Sequence, residues 1–180
     1  MVDGTRKVVG IDVNFHFPGG AWTSNDSANH RLSFLAVPGV RADKERIADD
    51  GLNHTAFEYE CIDALVVSYL RIKGLGIEPD VCLNHGMILS LYYVDPDGNM
   101  VELQVDSYGD WAKSTPFMRH APEFAANLIG VFFDPDRMAA EHRAGVPFDR
   151  IPADSYAGKY PRPKVRIGIW RRAKREGLAA

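Results

Sequence analysis

The chain has 180 residues, 46% of them apolar and 25% charged, which are values of an ordinary globular domain rather than of a disordered segment. A net charge of −3 and a pI near 6.1 leave no electrostatic footprint for a nucleic-acid partner. No apolar run approaches the ~18 residues of a transmembrane span, so no membrane partner is expected either.

In chain order, residues 7–17, "KVVGIDVNFHF", read as a strand, being rich in β-branched and aromatic residues. Pro18-Gly19-Gly20 breaks it, and "GAWTSNDS" is a short strand and turn. "HRLSFLAVP" (30–38) is a strand ended by Pro38-Gly39, and 40–51 is a charged connection with a helical turn at "ADKERIAD" (42–49). "LNHTAFEYE" (52–60) is a two-faced strand, and "DALVVSYLRIKGLG" (63–76) an amphipathic helix with Asp63 as N-cap and Gly74 or Gly76 as C-cap. "EPDVCLNHG" holds the next strand; "MILSLYYVD" follows, then the turn Pro96-Asp97-Gly98-Asn99 and the strand "MVELQVD".

Residues 52–106 therefore spell β-α-β-β-β, and 7–38 spell the last three strands of the same unit, a half-hidden internal repeat. The fold class expected is α+β with paired βαβββ modules, the first lacking its opening strand and helix. Residues 1–110 form that domain, with an incomplete first module over 1–40 and the second over 52–106; residues 111–180 form a C-terminal extension. Within it, "PEFAANLIGVFFDPDRMAAEHRAG" mixes loop and a short helix, and "YPRPKVRIGIWRRAKREG" is broken by proline and then ambiguous. "RRAKR" (171–175) reads as a solvated helix end. Cys61 and Cys82 sit in apolar contexts without a CxxC, and the opening "MVDGTRKVVG" has no apolar leader core, so reduced thiols in a cytoplasmic protein are expected.

One carboxylate stands out. Glu102 interrupts the apolar run Met100-Val101-Glu102-Leu103, and a buried charge needs a partner. Strand parity puts Met100, Glu102 and Gln104 on one face and Val101, Leu103 and Val105 on the other. His54, with Ala56 and Glu58, opposes Thr55, Phe57 and Tyr59 in the same way. Both side chains can then point into one concave face, where Ile88, Ser90 and Met100 would make a partly apolar lining. An imidazole with a carboxylate begins a divalent metal site, and two His with one carboxylate make the facial triad of non-haem Fe(II). Taken singly, a strand His is most often a partly exposed structural residue and a strand Glu a solvated one. Their joint placement beside the Asp-Pro-Asp-Gly turn is what favours a site.

"NHTAFEY", "LGIEP", "NHGMILSLYYVDPDGNMVELQVD" and "EFAANLIGVFFDPD" resemble the vicinal oxygen chelate superfamily, which holds glyoxalases, bleomycin-resistance proteins and extradiol dioxygenases. "NHRLSFLAVPG" followed by "NHTAF" resembles its type I extradiol catechol dioxygenases, similar to biphenyl-2,3-diol dioxygenases. The likeness covers about residues 26–137. It implies His54 and Glu102 as metal ligands, His30 as the active-site acid/base, His85 as a hydrogen-bonding partner of substrate or dioxygen, and Tyr92 beside the catecholate. It implies Fe(II) as cofactor, a small aromatic diol and O2 as substrates, and a homodimer or higher oligomer. The family's third ligand, a His, lies some 40 residues before the position of His30, ahead of the first residue here; His16 is the remaining early His. Two other readings use the same fold: a metal-free or degenerate small-molecule binding protein, and a glyoxalase-like metal-dependent isomerase, against which the carboxylate-free strand "RLSFLAV" counts. His120 and His142 read as surface residues, and Tyr156 or Tyr160 would touch substrate only if the loop at "GKYPRP" (158–163) covered the pocket mouth.

Overall fold

The computed structural model describes residues 2–40 and 52–160. The helical turn expected over 42–49 and the basic cluster at 171–175 lie outside the described residues. The first element is a helix, α1 (Val2–Val9), not a strand. Lys7, Val8 and Val9, expected to open a strand, form its last turn, and Gly10 at φ 77 ends it before β1 (Asp12–Phe17) begins. A short helix thus precedes the first strands, where the sequence pattern suggested none. The physical reason is tertiary: Val8 packs into the main core, and Arg71 bonds the carbonyls of Lys7 and Val8. Such packing overrides the strand propensity of the Val-Val pair.

β1, β2 (Gly20–Ser24) and β3 (Leu32–Leu35) form a three-stranded antiparallel sheet in the order β1-β2-β3. The second sheet has five strands in the order β4-β7-β6-β5-β8. Its unit runs β4 (His54–Tyr59), α2 (Ile62–Gly74), β5 (Val81–Asn84), β6 (Ile88–Val94) and β7 (Met100–Asp106), the βαβββ order read from the sequence. β4 pairs with β7 in parallel, and β7, β6 and β5 are antiparallel neighbours. The fold is α+β.

α2 forms because Ile62, Leu65, Val66, Tyr69 and Ile72 recur at helical spacing and are all buried. Its N-cap is Cys61 rather than Asp63, which stands in the first turn, where its charge suits the helix dipole. The helix stops in a two-bond motif: Gly76 N–H donates to the Lys73 carbonyl and Ile77 N–H to that of Ile72, with Gly76 at φ 76. The face of α2 meets Leu89, Leu91, Leu103 and Val105 of the sheet, all at most 2% exposed. The hairpin before β7 is held by Asp95, whose Oδ1 accepts from the N–H of Asp97 and of Asn99, while Gly98 takes φ 83.

The chain after β7 joins the same core. It runs through α3 (Trp111–His120), α4 (Pro122–Ala126), β8 (Val131–Phe132), α5 (Pro135–Arg143) and α6 (Arg150–Tyr156). β8 adds to the edge of β5, and Phe133, Met138, Ala139, Ile151 and Tyr160 are buried in the core cluster of α2. This stretch is richer in helix than its mixed sequence pattern suggested.

Candidate active site

The strand parity leaves one face of the five-stranded sheet for α2 and turns the other outward. Ala56 and Glu58 are exposed on that outer face, while Phe57 and Tyr59 pack toward the core. Registers bring the outward residues together. Ala56 is opposite Glu102 across the β4–β7 pair, and Tyr92 is opposite Glu102 across β6–β7. His54, one pleat step away, reaches the same carboxylate.

Four side chains form a continuous chain there. His54 Nε2 lies 2.9 Å from Glu102 Oε2. The Tyr92 hydroxyl donates to Glu102 Oε1 at 2.7 Å, and His85 Nε2 lies 3.0 Å from the Tyr92 oxygen. That hydroxyl proton points at the carboxylate, so the tyrosine oxygen is free to accept from His85, while the Leu128 backbone competes for the proton of the same ring. Glu102 is 3% exposed and Tyr92 5%, whereas the His54 side chain is 36% exposed. The site is dry behind the carboxylate and open beside the imidazole.

Electrostatics follow from this burial. Desolvation pushes the Glu102 carboxyl up, but His54, Ser90 and Tyr92 together outweigh it and hold the group below its ordinary value. The Ser90 hydroxyl stands near enough to favour the charged carboxylate, yet it is buried without a hydrogen bond of proper geometry. The Glu102 hydrogen bond raises the His54 imidazole above its usual range against the pull of burial. Burial lowers His85, which therefore stays neutral, and burial followed by the Glu102 charge raises the Tyr92 phenol.

The donor set suits a cation. His54 Nδ1 faces Asn53 Oδ1 at 2.7 Å, so both ring nitrogens meet an acceptor oxygen. A neutral ring has one proton for two acceptors; the second nitrogen needs a proton or a metal ion. Nε2 and Oε2 lie side by side at 2.9 Å, a nitrogen and a carboxylate oxygen of the types that would hold a divalent ion. Asn53 and Tyr92 would be the outer partners that orient the ligands. The pair supplies two ligands: among the described residues no three or more His, Cys, Asp or Glu side chains gather to hold a metal.

His30 stands at the entry to β3, with Nδ1 2.7 Å from Asn29 Oδ1 and its ring stacked on Trp22 at 5.7 Å. His16 lies on exposed β1 opposite Ala21. His142 contacts Asp63 at 2.9 Å, and His120 is an exposed end of α3. Tyr160 is buried against Arg137 and Glu141, turned to the core, whereas the Tyr156 hydroxyl comes to Gly86, next to His85. The sequence signal for Asn29 and Asn53 is an Asn-His pair that occurs three times, at 29–30, 53–54 and 84–85.

No family model matches the chain. It is 38% identical over 152 residues to biphenyl-2,3-diol 1,2-dioxygenase 3 of Rhodococcus globerulus, an overlap that covers 84% of this chain and 80% of the relative. It is 36% identical over 157 residues to biphenyl-2,3-diol 1,2-dioxygenase 2 of the same organism, covering 87% and 82%. Among solved structures, a glyoxalase/bleomycin resistance protein/dioxygenase from Alicyclobacillus acidocaldarius overlaps 58% of this chain and 82% of its own at 16% identity and a TM-score of 0.43.

Proposed function

Since this chain belongs to the vicinal oxygen chelate superfamily, with biphenyl-2,3-diol 1,2-dioxygenases as its relatives, we propose that it is an extradiol ring-cleavage dioxygenase of a catechol-type substrate, dependent on Fe(II). The observation that carries the reading is the His54–Glu102 pair: a buried carboxylate, an imidazole open to solvent on one side, and 2.9 Å between their ligand atoms.

His54 Nε2 and Glu102 Oε2 would hold the iron, with a third His, not visible in this chain, as the remaining protein ligand. Fe(II) bound there would bring the diol and dioxygen side by side and stabilise the charge that develops between them. The residues do the rest. Asn53 fixes the His54 ring through Nδ1. Tyr92 keeps Glu102 oriented and ionised by donating to Oε1. His85, kept neutral by burial and linked to the Tyr92 oxygen through Nε2, would hydrogen-bond the diol or dioxygen. His30 is assigned the acid/base role: Asn29 occupies its Nδ1, which leaves Nε2 to exchange a proton with a substrate hydroxyl.

A dimer or higher oligomer, whose partner chain could complete the ligand set, is part of the proposal. No described helix is long and apolar enough to cross a membrane. Both cysteines are free, which fits a reducing cytoplasm.

The test is metal content after anaerobic incubation with Fe(II) and desalting, followed by addition of 2,3-dihydroxybiphenyl and air. About one iron per chain and a coloured ring-fission product support the reading, since three protein ligands leave open positions for substrate and O2. A chain that holds iron but turns over no diol refutes it. The two-ligand count also favours a second reading, a metal-free binding protein of the same fold. That reading gains if His54→Ala leaves diol affinity unchanged.

A further inference from the structure

α3 crosses the outward face of the sheet at one end. At its start the Trp111 Nε1–H donates to Glu58 Oε1 at 2.8 Å, and Glu58 shares its strand face with His54. Near its far end Phe117 packs against Gly86, the residue after His85. A Cβ at Gly86 would stand 2.7 Å from the Phe117 ring and 3.3 Å from the Tyr156 hydroxyl, and Gly86 also needs φ 93. The helix thus spans from β4 to the β5–β6 turn, and Phe117 presses on the turn that carries His85.

The turn under Phe117 is anchored to α6. Asn84, fully buried, donates from Nδ2 to Ser155 Oγ at 2.7 Å and to the Pro152 carbonyl at 3.1 Å, while its Oδ1 accepts from Gly86 N–H at 2.8 Å. One amide therefore ties α6, the turn of His85 and the end of β5 into a unit. Phe117 itself lies between the rings of Tyr108 and Phe124, with centroids at 6.1 and 6.4 Å. A ring held on three sides moves little when a ligand arrives.

Resting on the dioxygenase reading, we propose that Phe117 is a specificity-determining residue. It closes the end of the site beyond His85 and limits the substituent that a ring-substituted diol can carry. Its exposure is intermediate, so truncating it removes wall rather than core.

The test uses the full chain loaded with Fe(II), without oxygen so that nothing turns over. Calorimetry gives Kd for catechol and for 2,3-dihydroxybiphenyl. Phe117→Ala is expected to shift the ratio of the two constants about ten-fold toward the larger diol, and Phe117→Trp to shift it the other way. Ratios within two-fold of wild type in both variants, with both diols still bound, overturn the role of Phe117 and leave the dioxygenase reading standing. A wild-type chain that binds neither diol overturns the dioxygenase reading and this inference with it.

Discussion

Tyr92 and Glu102 face each other across β6 and β7, both buried, and the tyrosine hydroxyl donates to the carboxylate at 2.7 Å. The same oxygen meets His85, so a single hydroxyl couples the two halves of the site. Tyr92→Phe keeps the buried ring and removes only that link. Leaving Glu102 Oε1 and His85 Nε2 without it costs about 1–3 kcal/mol of stability. Losing an outer partner of a ligand weakens a metal site by roughly 10–100-fold. Iron affinity by competition with a chelator, together with a urea melt, reads both effects; unchanged affinity would mean that Tyr92 does not orient the carboxylate.

Asn53 should matter through His54 and not on its own. Asn53→Ala releases Nδ1 and frees the imidazole to rotate, which predicts iron binding weakened by about 10–100-fold without loss of fold. His54→Ala should abolish iron retention outright. The contrast between the two is the check: if Asn53→Ala is as severe as His54→Ala, or has no effect, the orienting role is wrong.

His54, Glu102 and Tyr92 were legible because strand periodicity is local: a period of two decides which side chains share a face without knowing which strands pair. The α2 face and the Asp95 turn were legible for the same reason. The helix at Val2–Val9 was not, because its stabilising contacts are with Arg71 and the core, some 63 residues away in sequence. Asn84 likewise reads as a polar residue at a strand end, and its partners are 68 and 71 residues further on. Phe117 sits before a helix end in a pattern with little periodicity, so only the packed chain reveals that it touches Gly86.

The core makes a plainer prediction. Leu103 is 0% exposed between α2 and the sheet, on the opposite face from its neighbour Glu102. Leu103→Ala leaves a cavity in a packed region and should cost about 2–5 kcal/mol. The urea midpoint should fall with the slope unchanged, since the surface exposed on unfolding is nearly the same. A loss below 1 kcal/mol would show that the sheet relaxes around the gap.

The ion pair of Lys73 and Asp136 joins α2 to α5, and its dependence on pH follows from the two shifts. The Lys73 ammonium and the Tyr69 hydroxyl hold the Asp136 carboxyl below its ordinary value of 3.8. A lowered carboxylate stabilises the fold above its unfolded pKa, and that contribution is lost as pH falls through the folded value. Hydrogen bonding to Asp136 raises Lys73, whose contribution is present below its unfolded pKa of about 10.5 and is lost as pH climbs past the folded one. The window in which both act runs from weakly acidic to weakly basic pH. Half of the pair is solvent-exposed, so the effect is modest and shrinks in salt. Asp136→Asn should lower the urea midpoint at neutral pH and flatten its decline between pH 5 and pH 3. A variant whose midpoint falls by the same amount at pH 3 as at pH 7 would show that Asp136 acts through packing and not through its charge.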